Sequence, residues 1–195
     1  MSGAMERGLI ERAEIVMPAR LFIYYHARTW NGDQGRDRGT FPRDAIKSMR
    51  RVGMPDEKHW PFWVSRTNKP PPWRAYKHAH DRRAPSAYYR IFDGEDGRVD
   101  AIIAALHAQN FVIFGTQFDF AFTSDVGPMI VGKPNGDLQG GHAMAIVGYY
   151  RDPTAGLVFE VVNSWGENYR DGGYVYLTEE YIRWALSRDF WVMAV

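Results

Sequence analysis

Two hydrophobic periods divide the chain. Toward the N-terminus, apolar residues recur at helical spacing. Leu9, Ile10, Ala13 and Val16 predict a helix over residues 4–16, closed by Pro18. Leu21–Tyr25 is a short apolar run leading into His26-Ala27-Arg28, and residues 31–39 are a polar, Gly-rich surface loop. Thr40 is placed to cap a second helix, with Pro42 in its first turn and an apolar stripe of Ala45, Ile46, Met49 and Val52 ending at Gly53. Residues 54–72 read as loop, with the Trp60-Pro61-Phe62-Trp63 cluster packing on a helical lobe and Pro70–Pro72 forming a stiff extended stretch. Lys77–Arg83 is a polar, basic run. The clearest helix covers residues 96–109: Val99, Ile102, Ile103 and Leu106 share one face, and Asp96 stands at the cap position.

From Phe111 the period changes to two. Val112–Gly115 and the alternating Phe118, Phe120 and Phe122 read as strand. A strand beginning at His142 follows, with His142, Met144 and Ile146 on one face. A second ends at Asn163, with Phe159, Val161 and Asn163 on one face. Arg151-Asp152-Pro153-Thr154-Ala155-Gly156 is rich in turn formers, so the two strands are expected to pair antiparallel, bringing an imidazole and a carboxamide to one end of a sheet. Residues 173–177 and 190–195 read as further strands, with a short helix over 178–185 between them. Helices first and strands afterwards argue for an α+β fold.

Composition narrows the chemistry. The chain has 195 residues, 45% of them hydrophobic, enough for one domain or two small lobes with a core. Its formal net charge of +1 gives no case for nucleic acid as a partner. No apolar run approaches the ~18 residues of a membrane span, and the N-terminus has no apolar stretch of signal-peptide length, so localisation is left open. There is no cysteine, which removes disulfides, thiolate metal sites and a thiol nucleophile from these residues. His78 and His80 stand two apart without a partner at metal-site spacing, and no metal or cofactor is expected. His26, His59 and His107 belong to no pattern, and Asp119 and Asp125 read as loop polarity. Lys77–Arg83 lacks the interleaved aromatics of a nucleic-acid platform, and no glycine-rich stretch leads into Gly-Lys-Ser/Thr.

The segment from Gly140 to Tyr174 resembles the C-terminal half of the papain-like cysteine peptidases. Gly141-His142-Ala143 is similar to the family's catalytic histidine segment, and Asn163-Ser164-Trp165-Gly166 to its asparagine segment. Gly148-Tyr149 and Gly172-Gly173-Tyr174 also match. Upstream, residues 19–25, Arg43–Lys47 and Trp60-Pro61-Phe62 are similar to bacterial members, so the resemblance covers most of residues 4–195. It implies a two-lobe α+β fold, with residues 1–110 as a helical lobe holding the end of the active-site helix and 111–195 as an antiparallel β-barrel lobe. It further implies hydrolysis of peptide or protein substrates through a Cys-His-Asn site, of which His142 and Asn163 are present. Trp165 would cover that pair with Gly166 in support, and Gly140, Gly141 and Ala143 would line the substrate cleft. The family's cysteine and oxyanion-hole glutamine map upstream of this chain's first residues, so the sequence is expected to open within the active-site helix. Ser2 lies too close to Leu21 to replace the cysteine. The alternative is a catalytically inactive peptide-binding or scaffold protein of the same fold.

Overall fold

The computed structural model describes residues 17–92, 95–124, 127 and 129–194, so the helix expected over 4–16 lies outside the described residues. The chain divides into two compact units, one comprising Tyr89–Val192 and the other running through Tyr88 and resuming at Met193.

In the unit that runs through Tyr88, α1 is Arg20–Thr29, α2 is Pro42–Arg51 and α3 is Trp73–Ala79. The run Leu21–Ile23 is therefore helical and buried. No side chain of the local sequence caps α1. Glu57 does so from a distance: its carboxylate accepts the backbone N–H of Arg20 at 2.9 Å and the Arg20 guanidinium at 2.8 Å. A carboxylate at a helix start satisfies an orphan donor and suits the positive end of the helix dipole. α2 begins one residue later than the Thr40 cap predicts, with Phe41 at the cap position and Pro42 opening the helix. Proline lacks the N–H that would be orphaned there. The stripe Ala45, Ile46 and Met49 is fully buried. Gly53 ends the segment with φ +94°, and a Cβ there would meet the Ala79 carbonyl oxygen at 1.8 Å, so only glycine allows this approach. The basic run from Lys77 is in part helical, because Ala75 and Ala79 lie four apart and bury one face of α3 against Leu21, Phe22 and Trp60. Trp60 is thus core, while Phe62 and Trp63 stay exposed. Arg28 is fully buried. Its guanidinium donates to the carbonyls of Arg36 and Thr67 and to Asn68 Oδ1, and lies 4.0 Å from the centre of the Tyr24 ring.

In the Tyr89–Val192 unit, α4 is Glu95–His107. It starts one residue before Asp96 and lays Val99 and Ile102 on the core. β1 is Ala87–Arg90, at the division between the units, and β2 is Phe111–Asp119. β3 is Ile130–Val131, β4 Leu138–Asp152, β5 Gly156–Val162, β6 Tyr174–Thr178 and β7 Arg188–Ala194. They form a seven-stranded sheet in the order β1-β7-β2-β4-β5-β6-β3. β4 pairs antiparallel with both β2 and β5, as the turn between β4 and β5 predicts. β3 alone among the described pairings is parallel to its neighbour, β6. The residue period in β2 breaks before Phe120: Phe120–Thr123 is a helical turn, α5, not strand. Asp119 causes the break. Its carboxylate caps α5 by accepting from Phe122 N at 3.3 Å, and also holds Asn135 N and Gly136 N at 3.2 and 3.3 Å. An Asp that bonds the backbone ahead of it competes with the sheet ladder. Asp119 is buried and structural rather than loop polarity. Glu179–Arg183 is the short helix α6, capped by Thr178.

Candidate active site

The β2–β4 register sets His142 opposite Thr116, with Phe114 opposite Met144 and Val112 opposite Ile146. Cross-strand partners point to one side of a sheet, so His142 stands at the end of a buried row. Met144, Ile146, Phe114 and Val112 are each at most 1% exposed. β5 runs beside β4: Val161 opposes Ile146 and Val162 opposes Ala145, so the next residue, Asn163, falls level with Met144, two residues from His142. The loop from Ser164 to Gly173 closes back on Asn163, whose N–H bonds the Gly173 carbonyl at 2.9 Å. Gly166 and Gly173 have φ of +90° and +93°, and a Cβ on Gly173 would press on the Gly166 carbonyl at 3.2 Å. Both positions favour glycine.

His142 Nε2 lies 2.7 Å from Asn163 Oδ1. The same oxygen accepts the backbone N–H of Ser164 at 2.7 Å. A backbone N–H can only donate, so the amide faces His142 with its oxygen, and Nε2 must carry the hydrogen. In neutral His142 the lone pair then sits on Nδ1, which is the proton acceptor.

Aromatic rings surround this pair. The Trp165 indole lies 5.0 Å from the imidazole, tilted by 31°. Phe118 and Phe122 present edges at 5.9 and 6.3 Å. Tyr169 meets Trp165 edge-on at 4.9 Å and donates its hydroxyl to the Phe122 carbonyl at 2.6 Å. Asn163 is buried, while Trp165 keeps part of its surface in solvent. Burial pulls the His142 pKa below its ordinary 6.5, and the bond to Asn163 opposes the shift by favouring the charged ring. The imidazole is therefore neutral, and ready to accept a proton, at neutral pH.

The structure thus brings together His142, Asn163 and Trp165. Gly140, Gly141 and Ala143 flank the histidine on β4, opposite Phe118, Gln117 and Gly115. Sequence reading missed Phe118, Phe122 and Tyr169 as the wall of the site. The signal for Phe118 and Phe122 is the Phe118/Phe120/Phe122 alternation, which looks like ordinary strand until Asp119 turns the chain. His59, His78 and His80 have neighbours of their own. His78 stacks on His59 at 3.7 Å, and His80 pairs with Asp81 at 2.9 Å. Among the described residues, no group of three His, Asp or Glu side chains is arranged to hold a metal ion.

The sequence profile of the papain family cysteine proteases matches residues 29–187, most of the chain. An uncharacterized peptidase C1-like protein of Acanthamoeba polyphaga mimivirus is 33% identical over 187 residues, which cover 91% of this chain. The chain spans 58% of that relative's length. The structure of xylellain, a cysteine protease from Xylella fastidiosa, superimposes with a TM-score of 0.84 at 29% identity, over 100% of this chain and 76% of that one. A cysteine protease of Carica candamarcensis shares the fold at 20% identity with a TM-score of 0.69, over 99% of this chain and 84% of its own. With its α+β architecture and its matched sequence profile, the chain belongs to the papain family of cysteine proteases.

Proposed function

We propose that His142 and Asn163 are the general base and its orienting amide in a site that hydrolyses peptide bonds, and that the thiol they serve lies outside these 195 residues. The observation that carries the proposal is the 2.7 Å bond from His142 Nε2 to Asn163 Oδ1, which leaves Nδ1 as the acceptor. In the proposed reaction Nδ1 takes the thiol proton and the thiolate attacks the scissile carbonyl. The imidazolium then returns the proton to the leaving amine, and water, activated by the same nitrogen, releases the acid. Asn163 holds the ring in one tautomer throughout. Trp165 limits water beside the pair, which strengthens that hydrogen bond. Gly166 gives the loop its turn, and Gly140, Gly141 and Ala143 offer unobstructed backbone to an extended peptide in this reading. The catalytic pair lies within 111–195, the proposed β lobe. Peptides or proteins are the proposed partners, and no nucleic acid or membrane partner is proposed. Among the described residues no helix is long and apolar enough to cross a membrane.

The absence of cysteine is equally compatible with a second reading, an inactive peptide-binding or scaffold member of the same family. Turnover of fluorogenic peptides separates the two. The 195-residue chain is expected to show none. A longer natural chain that carries a cysteine ahead of residue 1 is expected to be active and to lose activity to a thiol-blocking reagent. If no natural form of the protein contains a cysteine and peptides bind without being cut, the inactive reading holds.

A further inference from the structure

The unit that runs through Tyr88 holds a cavity of about 560 Å³ lined by Lys47, Arg50, Arg51, Arg83 and Tyr88. Four of the five lining residues are cations and none is an acid. The volume falls within the range of pockets that hold small molecules. Lys47, Arg50 and Arg51 stand three and four apart on the last turns of α2, so they share one face. A helix C-terminus favours basic residues, which accounts for Arg50 and Arg51 in part. It does not account for Arg83, which comes from a different segment and completes the ring of charge.

Elsewhere in this unit some cations meet acids. Arg20 meets Glu57 at 2.8 Å and Lys58 meets Asp56 at 3.4 Å. The acid of α2, Asp44, sits in its first turn and accepts from Asn31. Three of the four cavity cations instead lie over aromatic rings. Lys47 Nζ lies 3.6 Å and the Arg51 guanidinium 5.4 Å from the Trp30 ring, and Arg50 lies 5.8 Å from the Tyr88 ring. Aromatic faces fix a cation's position without neutralising it. No described ion pair involves any of the four. The result is a concave, positioned set of like charges.

We propose that this cavity binds a small polyanion carrying two or more tetrahedral oxyanion groups, phosphoryl or sulfuryl. Arginine forks suit such oxygens, and several clustered groups are needed to balance four cations. Nothing in this inference depends on the peptidase reading.

Titration calorimetry of the full chain with inorganic tripolyphosphate, at low salt, tests the proposal. One saturable site per chain is expected, with an affinity that falls steeply as salt rises. Orthophosphate is expected to bind at least about tenfold more weakly. Arg50→Gln and Arg83→Gln should each weaken tripolyphosphate binding about tenfold, and Arg188→Gln, an exposed arginine elsewhere, should leave it unchanged. Thermal melts without ligand check that each variant is folded. A parallel titration with a multiply sulfated disaccharide distinguishes the sources: tighter binding of the sugar assigns a sulfated glycan, tighter binding of tripolyphosphate a phosphorylated metabolite. The proposal is overturned by no saturable binding up to about 1 mM, by several weak sites per chain, or by equal losses in Arg50→Gln and Arg188→Gln.

Discussion

Two histidines, one in each unit, His26 buried and His142 half-buried, have opposite surroundings. His142 begins a row of core side chains and finds an acceptor, Asn163 Oδ1, at 2.7 Å. His26 lies on α1 among Phe22, Tyr25 and Tyr76, with ring centres 4.6, 5.4 and 5.3 Å away. Its Nε2 is buried with no hydrogen-bond partner among the described residues. Burial pulls the His26 pKa down to about 4, with no opposing contribution. At His142 the same burial is opposed by a carboxamide. Burial by itself makes a histidine neutral and inert. Burial with one oriented acceptor makes it a base with a defined tautomer.

The comparison can be broken most severely at His142 itself. In a thiol-bearing form of the protein, His142→Ala should lower kcat/KM by about 10³-fold or more, roughly 4 kcal/mol of barrier. His26→Phe in the same form should leave peptide turnover near the parent's. Equal losses in both variants, measured in folded protein, would sink the assignment of the base.

His26 should reveal itself in stability. Its folded pKa of about 4 lies below the ordinary 6.5, so the neutral ring is favoured in the fold. The stability this gives is fully present above pH 6.5 and is lost as pH falls through about 4. The loss is about 2 kcal/mol at pH 5 and approaches about 3 kcal/mol below pH 4. Urea unfolding across this range should show that slope in the parent and a flatter one in His26→Phe. An unchanged slope would mean that His26 is hydrated or paired.

Asn163→Ala tests orientation with a smaller effect. Turnover in the thiol-bearing form should fall about 10- to 100-fold, because both ring nitrogens remain but the tautomer is no longer held. The least change is expected from Trp165→Ala. Opening the cover to water should raise the His142 pKa toward 6.5, read by NMR titration of the imidazole protons. A downward shift would show that the indole does not shield the ring.

The sequence on its own determined the β4–β5 hairpin. Period-two patterning and the Asp152-Pro153 turn specify the pairing, and the pairing carries His142 and Asn163 to the same end. α2, α4 and α6 were also legible, to within a residue or two at their starts or ends, because their apolar spacing is a local signal. Other features depended on residues far apart in the chain. The start of α1 is satisfied by Glu57, 37 residues away, so no local cap announces it. Phe120 and Phe122 leave the sheet because Asp119 binds backbone groups both just ahead of it and 16 to 17 residues on. Nothing local marks Arg28 as buried; carbonyls from two other segments enclose it. The cavity of Lys47, Arg50, Arg51 and Arg83 likewise needs two segments to meet. Periodicity records which face a residue takes along its own element. Which donor or acceptor that face meets is set by packing, and only the tertiary structure decides it.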